Sequence, residues 1–181
     1  NQFCFETYIY PTAPQRGSQY IFDYYDLETC HGFSLQLTQG GLLQATIGLS
    51  NNSSILLTTA LPLVNQTWYR IILAYYEKKY HLIQKCCDPY HQYLNQQITK
   101  SSPLPMIFPP GLMIIGGKLN KQEKKRIIAQ NTWNGKIDGP AISKLTELNL
   151  QTLPDNLGER LVYWDFSIGI PTTTITDKGS L

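Results

Sequence analysis

Phe3-Cys4-Phe5-Glu6-Thr7-Tyr8-Ile9-Tyr10 changes character at every residue. In an extended chain Phe3, Phe5, Thr7 and Ile9 fall on one side and Cys4, Glu6, Tyr8 and Tyr10 on the other. Pro11 and Pro14 then stop the run, because proline has no N–H to give to a ladder. The stretch predicts a β-strand with two unlike faces. Outward from it the same period returns. Residues 20–25 are aromatic and β-branched, and 32–37 and 42–49 flank Gln39-Gly40-Gly41, where glycine reaches the positive φ of a hairpin turn. Further strands are expected at 54–59, 68–76 and 80–85, the last two joined by the polar turn Glu77-Lys78-Lys79.

Beyond that the regularity fails. Residues 87–110 carry prolines at 89, 103, 105, 109 and 110 and read as a long covering loop. Order resumes at 112–116, 135–142 and 161–166, and only 145–150 and 121–129 suggest short helices. About ten strands, frequent turns and almost no helix predict one all-β domain, an antiparallel two-sheet sandwich, over residues 1–167. The polar tail 168–181 reads as a linker toward a following domain, and the start at Asn1 as a cut from a longer protein.

With 181 residues, 42% hydrophobic and 15% charged, the chain has material for one sizeable core and is too apolar to be disordered. Its longest apolar candidate, 56–64, is broken by Thr58, Thr59 and Pro62 and is far short of the ~20 residues of a membrane span. Lys118, Lys121, Lys124, Lys125 and Arg126 against Glu123 make a local basic stretch, read as a solvated loop. No recognition helix or second basic segment accompanies it, so nucleic acid is not an expected partner. Cys4, Cys30, Cys86 and Cys87 lack zinc spacing, and the adjacent pair is poorly placed to bridge to itself. They read as free thiols in a reducing compartment, which places the protein in the cytoplasm. The sequons Asn52-Ser53-Ser54 and Asn65-Gln66-Thr67 are too short a pattern to change that.

Trp68-Tyr69-Arg70-Ile71-Ile72-Leu73-Ala74-Tyr75-Tyr76 resembles the W-y-x-V-x-x-x-Y-D strand of laminin-G-like, concanavalin A-like jelly rolls. Ile114-Ile115-Gly116-Gly117, followed by Trp133-Asn134-Gly135-Lys136-Ile137-Asp138-Gly139-Pro140, resembles the I-G … F-x-G-x-I-D segment of the same fold. The resemblance implies that Trp68 and Trp133 fill the space between two sheets, that Gly135 permits a tight turn and that Asp138 accepts backbone hydrogen bonds beside a buried Ile137. A narrower likeness joins residues 134–140 to Leu161-Val162-Tyr163-Trp164-Asp165-Phe166-Ser167 and the Ile175-Thr176-Asp177 tail. That set is similar to the laminin-G-like domain in the large subunit of N,N-dimethylformamidase and its relatives. It implies an accessory module ahead of an amidohydrolase domain, and the family's iron ligands, two tyrosines and a glutamate, belong to that later domain. The implied partners are neighbouring domains or subunits, in an oligomer.

No catalytic, cofactor or metal residue is assigned. Asp26 and Glu28 would share a strand face, as glycosidase carboxylates do, but Asp23 points the other way and the run sits at a strand end facing water. His31, His81 and His91 lack ligand spacing, and Asp88, His91, Cys86 and Cys87 read as a solvated loop. Calcium on Asp23, Asp26 and Asp138 is the one cofactor considered, against a simpler role in holding turns. Tyr8, Tyr10, Tyr24, Tyr25, Tyr75 and Tyr76 occupy both phases of their strands, so some rings must lie outside the core. Exposed tyrosines suit carbohydrate or a protein interface. The leading expectation is a non-catalytic module that packs against its neighbours; the alternative is carbohydrate binding.

Overall fold

A computed structural model describes residues 2–120 and 128–166. Strands dominate, as the alternation predicts, and their segments gather into two compact units. One comprises residues 2–9, 68–103 and 136–166; the other comprises 10–67, 104–120 and 128–135.

The first unit contains most of a six-stranded antiparallel sheet. Its strands are β1 (Phe3–Pro11), β6 (Tyr69–Tyr76), β7 (Lys79–Cys86), β8 (Gln96–Ser101), β12 (Gly135–Lys144) and β13 (Glu159–Tyr163), in the order β13-β12-β1-β6-β7-β8. Register puts Cys4 opposite Ala74 and Ile72 opposite Ile83. These four residues share one sheet face and pack with Leu145, Leu153 and Leu157. The segment 145–157 is therefore a strap across that face. It is not the short helix expected at 145–150: Asn149 Oδ1 accepts from the N–H groups of Gln151 and Thr152, which draws the backbone into a turn instead. Covered in this way, β1 and β6 are buried in both phases.

Two further expectations are corrected here. Within the supposed loop 87–110, residues Pro89–Leu94 form a 3-10 helix and Gln96–Ser101 form β8. Asp88 starts the helix by accepting from Tyr90 N, and proline at the first helical position is already set for it. Trp68 is only half-buried and precedes β6. The large ring sealed inside is Tyr69, with none of its surface exposed.

The second unit contains a five-stranded sheet of β2 (Gln19–Asp26), β3 (His31–Leu37), β4 (Leu43–Gly48), β5 (Ser54–Thr58) and β9 (Ile114–Ile115), in the order β5-β4-β3-β2-β9. A small hairpin, β10 (Lys118–Asn120) and β11 (Ile128–Gln130), completes it. Its interior is the apolar phase of β2, β3 and β4, where Phe22 and Phe33 stack with ring centroids 5.0 Å apart. The β3–β4 turn closes through Gly41 N to Thr38 O, with Gly41 at φ +78° as the Gly-Gly signal required. Residues 128 and 129 of the second suspected helix are strand, within β11. Its remainder, the basic residues Lys121, Lys124, Lys125 and Arg126, and the expected linker 168–181 lie outside the described residues.

Candidate functional site

Two concavities of the second unit meet at Arg16. Residues 13–16 form a turn closed by Arg16 N to Ala13 O, with Pro14 at the position whose fixed φ a type I or II turn favours. The turn is tied down by Gln19, a buried side chain at the start of β2. Its Nε2 donates to Ala13 O at 2.7 Å, and its Oε1 accepts from Asn134 N at 2.9 Å. One glutamine thus fixes both walls of a cleft.

The second wall, residues 131–134, is held along its length. Tyr20 N donates to Asn131 O, Trp133 N to Gly116 O and Thr12 N to Asn134 O. Gly135 follows for a steric reason: a Cβ there would lie 2.2 Å from Tyr10 O and 2.9 Å from Trp133 Nε1. Close approach of backbone and indole, not a tight turn, demands the glycine.

Between these walls lies a cleft of about 340 Å³ lined by Arg16, Ser18, Gln19, Thr132, Trp133 and Asn134. On the other side of Arg16 a second concavity, of about 580 Å³, runs between residues 12–16 and 62–65. Its walls are more apolar, with Pro14, Pro62, Leu63 and Val64. Together they offer an indole, several amide and hydroxyl groups and one guanidinium around an open groove of ligand size.

The residues weighed from the sequence are placed elsewhere. Asp23 is buried within β2, not facing water. Asp26 ends that strand and accepts from Glu28 N at 2.9 Å, so the two acids belong to a turn and do not face one another from a strand. Asp138 is exposed; Thr7 Oγ1 donates to its backbone carbonyl, and Ile137 is only half-buried. Among the described residues no three His, Cys, Asp or Glu side chains gather where they could hold a metal ion. His31 contacts Asn52, His81 contacts Thr99, and His91 pairs with the Asp88 carboxylate at 2.7 Å. Hydrogen bonds from Tyr90 N and His91 hold the Asp88 carboxyl below its usual range. All four cysteines are free thiols, and burial pushes the Cys4 thiol well up.

Sequence reasoning passed over Arg16, Gln19 and the role of Trp133, which was expected in the core and is half-buried in the cleft wall. The available signal was the pairing of Pro14 with Trp133-Asn134-Gly135, which becomes meaningful only when the two loops are known to be adjacent. Among tyrosines, the exposed rings are Tyr90 and Tyr93 on the 3-10 helix, not those of the strands.

No family model matches the sequence, and no curated protein matches it. Solved structures do. A protein from Bacteroides ovatus named a putative carbohydrate binding protein aligns over 98% of this chain and 49% of its own, at TM-score 0.67 and 14% identity. The LG1-3 region of the laminin alpha2 chain aligns over all of this chain and 31% of its own, at TM-score 0.58 and 13% identity. Domains LG4-5 of the mouse laminin alpha1 chain give TM-score 0.50 at 15% identity, over 78% of this chain and 35% of theirs. The fold is a laminin-G-like jelly roll. It is all-β, an antiparallel two-sheet sandwich of the concanavalin A-like class. This laminin-G-like chain spans half or less of the length of each of these neighbours.

Proposed function

We propose that this laminin-G-like chain is a non-catalytic recognition module whose ligand is a carbohydrate held in the cleft between Arg16 and Trp133. One observation carries the reading: the Trp133 indole stands in a single wall with Asn134 and Thr132, facing Arg16, Ser18 and Gln19 across about 340 Å³. Aromatic faces stack on the C–H faces of sugar rings while amides and hydroxyls answer their hydroxyl groups, and this cleft has both. The name of the Bacteroides ovatus neighbour, a putative carbohydrate binding protein, is in keeping with the same assignment. A glycan array, run with and without calcium, is the test. Expected is a saccharide bound in both conditions and lost with Trp133→Ala at unchanged melting temperature. An array silent in both conditions removes the reading.

A second reading, packing against neighbouring domains or subunits, is favoured by a different surface. Ile107, Phe108, Leu112 and Met113 are exposed along one proline-rich segment, next to half-buried Tyr24, whose hydroxyl donates to Pro109 O. Deleting the module from its full-length protein would then alter assembly or thermal stability; unchanged oligomerisation and melting would refute it. The placement of that parent among N,N-dimethylformamidase-like amidohydrolases, in the cytoplasm, is likewise a proposal. It requires a domain with two tyrosines and a glutamate as iron ligands in the parent reading frame.

A further inference from the structure

The first unit has a concavity of its own where the strap crosses the sheet. About 230 Å³ lies between Leu150, Gln151 and Leu153 of the strap and Ile83, Lys85 and Gln97 of strands β7 and β8. That is room for several waters or a small ligand. Ile83, Leu150 and Leu153 supply an apolar floor, and the strap's contact with Ile83 is part of the buried cluster already described. Lys85 is the only charged side chain in the lining.

Lys85 has no carboxylate partner among the described residues, and no acid lines the concavity. Its cross-strand neighbour is Arg70, whose guanidinium is taken up by Glu6 and by the carbonyls of Leu153 and Pro154. Asp88, the acid nearest in sequence, is paired with His91. Asn95 also borders the space but already holds Cys86 N and donates to Gln92. Gln97 gives one amide hydrogen to Thr99 Oγ1 at 3.4 Å, which leaves the Gln151 amide as the donor beside Lys85.

We propose that this pocket binds a carboxylate on a short apolar stem, the carboxylate against Lys85 with the amide of Gln151 beside it, and the stem on Ile83 and Leu153. One positive charge, neighbouring amides and an apolar floor match that chemistry, and a charge-assisted bond is the strongest contact the lining can form. The assignment is independent of the cleft at Trp133.

Butyrate is the probe, titrated into ¹⁵N-labelled full chain while side-chain and backbone amide signals are followed. Saturable shifts are expected at Gln97, Gln151 and the amides of residues 83–85 and 150–153. 1-Butanol, which keeps a stem but lacks the charge, should bind at least about tenfold more weakly. Lys85→Gln should weaken butyrate by a similar factor, and Gln151→Ala, on the exposed strap, should do so to a smaller degree with no dependence on strand folding. Absence of saturable shifts, or equal binding by folded Lys85→Gln, overturns the proposal. Inorganic phosphate displacing butyrate at equal concentration overturns the carboxylate assignment.

Discussion

Arg70 Nη2 lies 2.6 Å from Glu6 Oε2, and both side chains are about 95% buried. The contact is diagonal: Arg70 is opposite Tyr8 and Glu6 opposite Ile72 across the β1–β6 pair. The same guanidinium reaches up to the strap, giving Nη1 to Leu153 O at 3.0 Å and Nη2 to Pro154 O at 2.8 Å. One buried charge thus joins sheet and cover.

Removing its partner should be severe. Glu6→Gln leaves the guanidinium buried without a counter-charge, at an expected loss of about 3–5 kcal/mol in chemical denaturation. The double variant Glu6→Leu, Arg70→Met should lose less than either single change, although the strap carbonyls then go without donors. Amide exchange at residues 150–157 should quicken in Glu6→Gln. Exchange as slow as in the parent would show that the strap does not depend on this pair.

Gly135→Ala links fold to cleft. The added methyl must push on the Tyr10 carbonyl or the Trp133 indole, so about 1–3 kcal/mol of stability should go. Tryptophan fluorescence should shift as well, because Trp133 yields more readily than backbone. An unchanged spectrum and melting curve would contradict the close approach.

The β6–β7 hairpin places Glu77 at φ +48° and Lys78 at φ +60°, both left-handed and neither a residue suited to it. Asn-Gly in their place should raise stability by about 1 kcal/mol, read from the denaturation midpoint. No gain would mean that the side chains make contacts worth the strain.

His81 is buried on β7, its Nδ1 3.0 Å from Thr99 Oγ1. Burial first, then the charge of Lys79, hold its imidazole below the ordinary value, with Glu77 opposing. The unfolded chain therefore takes up the proton first as pH falls. Stability from the neutral ring is whole above the unfolded value of about 6.5 and declines as pH drops toward and through the folded one. Denaturation midpoints measured at pH 7.5 and pH 5 should differ less in His81→Gln than in the parent. The same difference in both would assign the pH response to other groups.

Most strands were legible because alternation survives wherever one phase is apolar: 20–25, 32–37 and 42–49 each match a strand to within a residue or two. β8 was not, since Gln96-Gln97-Ile98-Thr99-Lys100-Ser101 is a polar edge strand whose ladder to β7 leaves almost no apolar signal. The strap escaped because Leu145, Leu153 and Leu157 answer a sheet face whose own residues include Cys4 and Ala74, small enough to carry little hydrophobic pattern. Glu6 and Arg70 sit in strands that were read correctly, yet 64 positions apart; nothing local says that one neutralises the other. The cleft is harder still. Gln19 is an ordinary polar residue until Ala13 and Asn134 are brought to either end of its amide.

The strand order β12-β1-β6 carries a consequence for biosynthesis. Phe3–Pro11 borders Gly135–Lys144, a strand made much later in the chain. Until that late arrival, one flank of Phe3–Pro11 has no mate, and the nascent polypeptide must wait with it open. Synthesis and maturation therefore run in different orders, and a message cut short before residue 144 yields an unfinished sheet rather than a smaller working one.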